Sequence, residues 1–305
     1  MIYTLTLNPS LDYIVEVDQV LLGDLNRTKN ESKFPGGKGI NVSQVLKRFD
    51  VDSKSFGFIG GFTGDYIENH LHSLDIGTDF VRIQEDTRIN VKLKSEAETE
   101  INAKGPTISV EEFEKLKDKI SRLSEEDILV IAGSIPYSMP TETYEILVKI
   151  CNEKGTKYVV DAEGDLLKSI IPYKPFLIKP NHHELGMFFN KEIRTTEEVI
   201  MYGRKLIQSG AQHVIVSMAG DGAVLLTEEY ALVATVPKGE VKSSVGAGDS
   251  MVAGFIATYT KTQNIEDAFR FSVAAGSATA FSIGLCTEEK VVSLLPQVTL
   301  EKISF

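Results

Sequence analysis

From residue 108 onward, apolar segments of strand length alternate with amphipathic segments of helix length. The strand-like segments, such as Ile128–Ala132, are short and almost wholly apolar, which is typical of strands buried on both faces. The segments between them, such as Glu111–Leu123, carry apolar residues at helical spacing. This alternation predicts an α/β protein with a mostly parallel sheet and helices on both faces. The remaining elements predicted here are Thr141–Glu153, Tyr158–Val160, Phe176–Ile178, Glu197–Ser209, His213–Val216, a hairpin of Ala223–Leu226 and Leu232–Val236, and two long helices from Asp249 and Ile265.

The first hundred residues predict strands at Ile2–Leu7 and Lys54–Ile59 and a small sheet separate from the main one. In one strand of the small sheet, period-two alternation places Arg88, Asn90 and Lys92 on one face and apolar residues on the other. That polar face is either ordinary solvent-facing surface or part of a binding site. The strands assigned to the small sheet are Tyr13–Val17, Glu31–Phe34, Arg88–Leu93 and Glu96–Ile101.

Composition excludes several classes of protein. The 305 residues carry a net charge of −11, which argues against broad electrostatic attraction to nucleic acid or to an anionic membrane. No apolar run approaches the roughly 20 residues of a membrane span, and the first residues do not resemble a signal peptide. Cys151 and Cys286 are the only cysteines, too few for a disulfide framework. We therefore expect a cytoplasmic protein with no nucleic-acid or membrane partner.

Polar residues follow the predicted parallel strands where each strand ends. In sheets of this type, ligands bind at the carboxyl ends of the strands. Each such residue alone is explained as a cap or a turn residue, but several along one sheet edge predict a binding site. The residues are Asn8, Ser134, Asp161, Lys179, Asn181, Glu184 and Ser217.

Two glycine turns lead directly into predicted helices. Pro35–Val42 contains three glycines in four residues, and Ser243–Met251 contains two glycines followed by Asp249. Glycine turns at helix N-termini favour anions, because backbone amides and the helix dipole converge there. The first turn does not have the Walker pattern, and the second has Met251 where a dinucleotide-binding motif has its third glycine.

The two glycine turns are predicted to bind two anions, and Asp249 lies beside the second. Together they indicate phosphoryl transfer from a nucleotide to a hydroxyl. Such a reaction requires positioning, charge neutralisation and a base, with little covalent chemistry from the protein. The residues alone leave simpler alternatives open. Asp249 also suits the start of a helix, and Lys38 also suits a solvated lysine in a flexible turn.

Five motifs resemble, in order and spacing, those of the phosphofructokinase-B branch of the ribokinase-like sugar kinases, and the resemblance covers essentially the whole chain. It implies a ribokinase-like fold in one domain, residues 1–305, with a discontinuous β lid from about 12–18, 30–35 and 87–102. In this family the lid commonly pairs subunits, so a homodimer is expected. The motifs are Thr6–Asp12, Gly36–Asn41, Ile131–Pro136, Lys179–Glu184 and Val245–Ser250.

The resemblance also implies residue roles. Asp249 would be the general base, and Gly246, Ala247 and Gly248 would form the anion hole. Lys179, Asn181 and Glu184 would lie at the ATP phosphates and Mg²⁺, with Glu184 acting on the metal through water. Ser217, Gly220 and Gly222, with Gly248, would line the nucleotide pocket, although Met218 and Ala219 depart from the leucine and glycine usual there. The sugar phosphate would be held by Asp12, Gly37, Lys38, Asn41, Arg88, Asn90 and Ser134, with Arg27 reaching its phosphate from the lid or from a partner subunit.

Lys38 and the stretch Thr87–Leu93 are most similar to family members that phosphorylate fructose 1-phosphate. The expected product is fructose 1,6-bisphosphate. Tagatose 6-phosphate and fructose 6-phosphate remain alternative substrates. A sugar-phosphate-binding regulator on the same fold remains the non-enzymatic alternative, since fold does not determine function.

Overall fold

The computed structural model describes residues 1–305, which form two β-sheets and ten α-helices. The strands are β1 (Ile2–Thr6), β2 (Ser10–Glu16), β3 (Asn30–Gly36), β4 (Ser53–Ile59), β5 (Gly77–Thr78), β6 (Val81–Arg82), β7 (Arg88–Lys94), β8 (Glu98–Ile101), β9 (Ile128–Ala132), β10 (Lys157–Asp161), β11 (Leu177–Ile178), β12 (Val214–Ser217), β13 (Ala223–Leu226), β14 (Tyr230–Ala234) and β15 (Leu300–Ser304). The helices are α1 (Lys38–Arg48), α2 (Gly61–Ser73), α3 (Val110–Ser121), α4 (Thr143–Lys154), α5 (Gly164–Ile170), α6 (His182–Phe189), α7 (Thr196–Gln208), α8 (Ala247–Thr262), α9 (Ile265–Ala280) and α10 (Glu288–Leu294).

The large sheet has the strand order β15-β14-β13-β12-β11-β10-β9-β1-β4-β5, with β6 also paired to β4. All pairs from β12 to β4, and those of β4 with β5 and β6, are parallel, whereas β13, β14 and β15 add antiparallel strands at one edge. The carboxyl ends of β1, β9, β10, β11 and β12 therefore lie along one edge, as the sequence predicts.

Two hydrophobic cores lie on opposite faces of this sheet. Successive side chains of β9 alternate between the two cores. Leu129 and Ile131 belong to one core, and Ile128 and Val130 belong to the other. The first core is completed by α3 to α7, and the second by α1, α8, α9 and α10. Burial of apolar side chains on both faces explains why the central strands are almost continuously hydrophobic.

Local capping fixes where several helices begin. Ser109 accepts a hydrogen bond from the Glu112 amide, and the Glu112 side chain accepts one from the Ser109 amide. This capping box satisfies two amides that would otherwise have no partner in the first turn of α3. The same arrangement starts α7 at Thr195 and α6 at Asn181.

The small sheet has the order β3-β2-β7-β8 and is named here the lid sheet. Its strands β2 and β7 pair in parallel register, Asp12 opposite Asn90, while the other two pairs are antiparallel. The polar residues Asp12, Asn90 and Lys92 line the cavity between the two sheets.

The predicted architecture is confirmed, and the differences from the predicted elements are local. Helices α2, α5, α6 and α10 and the edge strand β15 were not predicted. Helix α6 was missed because its first turn, His182–Glu184, is polar and was interpreted as the end of a strand. None of the ten helices has both the length and the apolar character needed to cross a bilayer.

Candidate active site

A cavity of about 1,400 Å³ lies between the carboxyl ends of the parallel strands and the lid sheet. Every site residue predicted from the family resemblance lines this cavity, with one exception. Arg27 lies in the exposed loop between β2 and β3 and does not reach the cavity of its own chain. The Arg27 side chain is exposed in this loop, so its action from the lid of the same chain and its action in a partner subunit both stay predictions.

The second glycine turn begins α8 at the floor of the cavity. Gly246 is the N-cap residue, with φ +78°, a left-handed conformation that glycine adopts without steric cost. The amides of the first turn of a helix have no acceptor within the helix, so this turn can bind an anion. The Lys179 ammonium lies against it, since a Cβ placed on Gly248 would be 2.9 Å from Lys179 Nζ. The turn therefore combines backbone donors with a fixed cation.

Asp249 lies in this first turn and is only 6% exposed. Its Oδ2 accepts a hydrogen bond of 2.8 Å from Nδ2 of the Asn41 side chain, in the first turn of α1. Burial, reinforced by the nearby charge of Asp161, raises the pKa of Asp249 to about 6, although Asn41 and the lysines oppose the increase. A carboxylate with such a pKa is ionised at neutral pH and is basic enough to accept a proton.

Asp161, at the end of β10, joins two lysines. Its Oδ1 lies 3.3 Å from Lys38 Nζ and its Oδ2 lies 3.7 Å from Lys179 Nζ. Burial alone would raise the pKa of the Asp161 carboxyl, but the two ammonium groups outweigh it and hold that pKa below its usual range. Burial also disfavours the charge on Lys38, yet the carboxylates of Asp161, Asp249 and Glu163 raise the pKa of Lys38 above its ordinary value. Asp161 and Lys38 are therefore both charged.

The first glycine turn places Lys38 and Asn41 at the start of α1. Gly37 caps this helix with φ +128°, and a Cβ there would come within 2.6 Å of Thr6 Cγ2. Lys38 points toward Asp161 and Glu163 at the centre of the cavity, rather than toward the lid. Its placement is thus between the residues predicted for the sugar and those predicted for the nucleotide.

Under the lid sheet, polar side chains hold one another in fixed orientations. Asp12 Oδ1 accepts hydrogen bonds from Ser10 Oγ at 2.6 Å and from Asn90 Nδ2 at 3.1 Å. Arg88 donates to the backbone carbonyls of Ala103 and Asn8, at 2.8 and 3.0 Å, while its buried Nε has no partner. Asp12 Oδ2 has no hydrogen-bond partner within the protein and remains available to a ligand in the cavity.

At the opposite end, the residues predicted for the nucleotide come from α6 and β12. The backbone of Asn181 forms a parallel bridge with Ser217, which fixes the two strand ends side by side. Gly220 is exposed, and Gly222 has φ +107°, where an added Cβ would clash with the Ala234 carbonyl oxygen. Ala219, at a position where the family resemblance implies glycine, adopts φ +50°, so the turn has the left-handed conformation that favours glycine.

The donor set around Glu184 fits a hydrated Mg²⁺. One carboxylate oxygen of Glu184 accepts a hydrogen bond from the Asn181 amide at 2.7 Å, and burial raises the pKa of the Glu184 carboxyl. No cluster of three or more His, Cys, Asp or Glu side chains forms a closed metal site. Mg²⁺ usually keeps several waters and uses one or two carboxylates together with substrate phosphates. The geometry thus suits a metal that arrives with a nucleotide.

Several residues that line the cavity were given no individual role by the sequence analysis. Asp161 was recognised as a strand-end residue, but its ion pairs with two lysines distant in sequence have no local signature. Lys92 and Glu100, paired at 2.7 Å under the lid sheet, line the cavity as well. The loop after β14 and the end of α9 close its nucleotide end through Val236, Pro237, Lys238, Gly239, Val241, Gly276, Ser277, Ala280 and Phe281.

Comparison with known proteins gives matches along nearly the whole chain. The 1-phosphofructokinase of Bacillus subtilis (strain 168) is 54% identical over 303 residues, which are 99% of this chain and 100% of that protein. The D-tagatose-1-phosphate kinase of Bacillus licheniformis is 40% identical over 301 residues, covering 98% of this chain and 99% of that protein.

Solved structures agree with the fold. Escherichia coli phosphofructokinase-2 in complex with fructose-6-phosphate has a TM-score of 0.91 at 28% identity and covers 97% of this chain and 98% of its own. A tetrameric inhibited form of the same E. coli protein has the same TM-score. These structures confirm the ribokinase-like fold. The model of the pfkB family of carbohydrate kinases matches residues 5–290. Since that match spans nearly the whole chain, the protein belongs to the pfkB family and is a sugar kinase.

Proposed function

We propose that this enzyme transfers the γ-phosphoryl group of ATP to the 6-hydroxyl of fructose 1-phosphate, giving fructose 1,6-bisphosphate. The observation that carries this proposal is the position of Asp249, a buried carboxylate with a raised pKa inside the glycine turn that faces Lys179. Relatives named 1-phosphofructokinase support the choice of sugar phosphate. A regulator that only binds sugar phosphate would not need a base at this position.

Proton transfer is assigned to Asp249. Its Oδ2 is held by Asn41, which leaves Oδ1 for the hydroxyl of the substrate. As the hydroxyl oxygen attacks phosphorus, its proton passes to Asp249 and the bond between the γ-phosphorus and the bridging oxygen breaks. A well-placed base of this kind contributes roughly 10²–10⁴-fold to the rate.

Charge on the transferring group is balanced by the glycine turn and by two lysines. The amides at Gly246–Gly248 and the ammonium of Lys179 lie together, and Asp161 holds Lys38 on the other side. Fixed donors of this kind act most strongly where charge develops in the transition state. Mg²⁺, held by the ATP phosphates and through water by Glu184, would neutralise phosphate charge when bound.

The sugar phosphate is proposed to bind under the lid sheet. Ser10 and Asn90 orient Asp12 so that its second oxygen accepts hydrogen bonds from sugar hydroxyls. Ser134 lies exposed on the opposite wall of the cavity, within the strand-end group. Arg88 projects from β7 with an unpartnered Nε, which supplies a donor for an anionic substituent remote from Asp249.

The first experiment identifies the substrate. ADP release should be measured with fructose 1-phosphate, tagatose 1-phosphate, tagatose 6-phosphate and fructose 6-phosphate at matched concentrations. We expect the highest kcat/KM with fructose 1-phosphate. A higher value with another of these compounds would reassign the substrate. Tight binding by calorimetry without turnover of any of them would instead support a regulator.

Replacement of the base should affect turnover far more than binding. We expect Asp249→Asn to lower kcat by roughly 10²-fold or more, with the KM values for ATP and sugar phosphate changed only a few-fold. The reason is that asparagine has nearly the same shape but cannot accept the hydroxyl proton at neutral pH. Asp165→Asn, at an exposed position outside the cavity, is the matched control. Near-normal turnover in Asp249→Asn would remove this residue from its role.

The pH dependence follows from the pKa of about 6 at Asp249. Below that pH the carboxyl is protonated and cannot accept a proton, so kcat/KM for the sugar phosphate should fall about tenfold per pH unit. Asp161→Asn removes a negative charge that raises the pKa of Asp249, so the fall in kcat/KM on the acidic side of the pH profile should move to lower pH. The pH profile of kcat/KM measures this shift. A limb that moves to higher pH, or does not move, contradicts the assignment.

A homodimer formed through the lid sheet is proposed on the exposure of apolar side chains around it. Leu22 is 94% exposed and Leu25 is 71% exposed, in the same loop as Arg27, and Phe34 in β3 and Ile101 in β8 are also exposed. Apolar surface of this extent commonly marks an interface. In such a dimer, Arg27 would reach the sugar phosphate in the partner's cavity.

Complementation tests this assignment of Arg27. Arg27→Ala should raise the KM for sugar phosphate. In a mixed dimer with an inactive Asp249→Asn subunit, one site combines the intact Asp249 of the first subunit with the intact Arg27 of the second, and that site should regain a normal KM. Steady-state assays before and after subunit exchange, with sedimentation to establish the dimer, measure the effect. Arg82→Ala, which removes another exposed arginine, one paired with Asp65 and Glu68, is the control. Absence of restored turnover in verified mixed dimers would place Arg27 outside the site.

A further inference from the structure

The glycine turn that forms the anion hole is supported from behind by the loop between α9 and α10, residues 281–287, named here the support loop. Leu285 of this loop packs directly on Gly246, because a Cβ at Gly246 would lie 2.6 Å from Leu285 Cδ2. The support loop therefore determines how much space the left-handed turn at Gly246 has. Nothing in the catalytic assignment above uses its residues.

A buried chain of hydrogen bonds connects the support loop to the first turn of α8. The Cys286 amide donates to Thr279 Oγ1 at 2.9 Å, and Thr279 Oγ1 is 2.7 Å from Ser250 Oγ. Ser250 directly follows Asp249, and its own amide donates to the Gly246 carbonyl at 2.9 Å. Ser250, Thr279 and Cys286 are all fully buried, so water cannot replace these bonds.

Two cations hold the outer side of the support loop. Arg48, at the end of α1, donates to the carbonyls of Leu285 and Cys286, the latter at 2.9 Å. Lys290, in α10, donates to the Phe281 carbonyl and to Ser282 Oγ. The loop is thus fixed to three helices at once. Helix α1 also carries Asn41 at its other end, where that side chain bonds to Asp249, so one helix contacts both the support loop and the first turn of α8.

We propose that Thr279 is a positioning residue for the anion hole, acting through Ser250 and Cys286, and that Arg48 anchors the loop on which it depends. The proposal rests on the phosphoryl-transfer function proposed above. Its physical basis is that donors to a transition state must be placed accurately, because a misplacement of about 1 Å can lower the rate about 100-fold. A threonine hydroxyl that bonds both the support loop and the catalytic helix fixes their relative position.

The central variant is Thr279→Val, which keeps the shape of threonine and removes only the hydroxyl. It leaves the Cys286 amide without a partner and removes the bond to Ser250. We expect kcat to fall by roughly tenfold, with the KM values for ATP and sugar phosphate nearly unchanged, because the anion hole acts mainly in the transition state. Thr279→Ser, which retains the hydroxyl, should recover most of the wild-type kcat. Ser250→Ala removes the same hydrogen bond from its other side and serves as the test if Thr279→Val folds poorly.

Ser272→Ala is the matched control for a purely structural effect. The Ser272 hydroxyl is also fully buried and also joins α9 to α8, through a hydrogen bond of 2.8 Å to the Met251 carbonyl. We expect this variant to lower Tm to a similar extent as Thr279→Val while leaving kcat unchanged. Arg48→Met removes the side chain that holds the outer side of the support loop and should lower kcat. Lys47→Met, which removes an exposed ion pair with Asp52, is its control and should leave kcat unchanged.

Hydrogen exchange in the absence of any substrate provides a readout that does not depend on the identity of the sugar. We expect faster exchange of the amides of residues 246–250 in Thr279→Val and Arg48→Met, with exchange in the C-terminal half of α8 unchanged. If wild-type protein phosphorylates no sugar phosphate, the proposed function fails while this measurement still tests the support of the turn. Equal kcat losses in Thr279→Val and Ser272→Ala, or unchanged exchange at residues 246–250, would overturn the proposal.

Discussion

The ion pairs of Asp161 with Lys38 and Lys179 are the interaction on which the geometry of the site depends. Each lysine would be costly to bury alone, and Asp161 would be costly to bury without them. The two lysines hold the pKa of the Asp161 carboxyl below its usual range, and Asp161 in turn raises the pKa of Lys38. Parallel strands make this possible because β10 and β11 end at the same sheet edge, next to the start of α1. The arrangement places two cations at the centre of the cavity before any ligand binds.

The pKa of Asp249, the proposed base, depends on the same charges. Asp161 raises the pKa of Asp249, while Lys38, Lys179 and the hydrogen bond from Asn41 lower it. The resulting pKa therefore reflects a balance among groups contributed by α1, β10, β11 and α8. Incoming phosphates would add negative charge near this cluster, so preformed cations reduce the repulsion that Asp249 would otherwise experience. Binding of the anionic substrate and ionisation of the base are coupled through the lysines.

Sequence patterns predicted the alternating elements and both glycine turns because each has a local physical cause, such as the apolar periodicity of Glu111–Leu123 or the glycines before Asp249. With the family resemblance, they also named many of the residues that line the cavity, although fewer than half of them. The role of Asp161 was not predictable in this way, since it depends on pairing with lysines 123 positions before it and 18 after it. The edge strand β15 was missed for a similar reason, because its pairing with β14 joins segments about 70 residues apart. Local propensity cannot report pairings that only the tertiary structure brings together.

Contacts between the lid sheet and the large sheet explain why neither part forms the site alone. Arg88 of β7 bonds to the carbonyl of Asn8 at the end of β1 and to Ala103, where the chain leaves the lid sheet. The buried Asn8 Oδ1 and Arg88 Nε have no partner in the protein, although most buried polar atoms do. Both atoms occur where the lid sheet meets the strand ends, beside the cavity proposed to hold the sugar. An acceptor and a donor without partners at this junction are suited to a ligand that bridges the two sheets. Substrate binding and the position of the lid sheet would then depend on the same few hydrogen bonds.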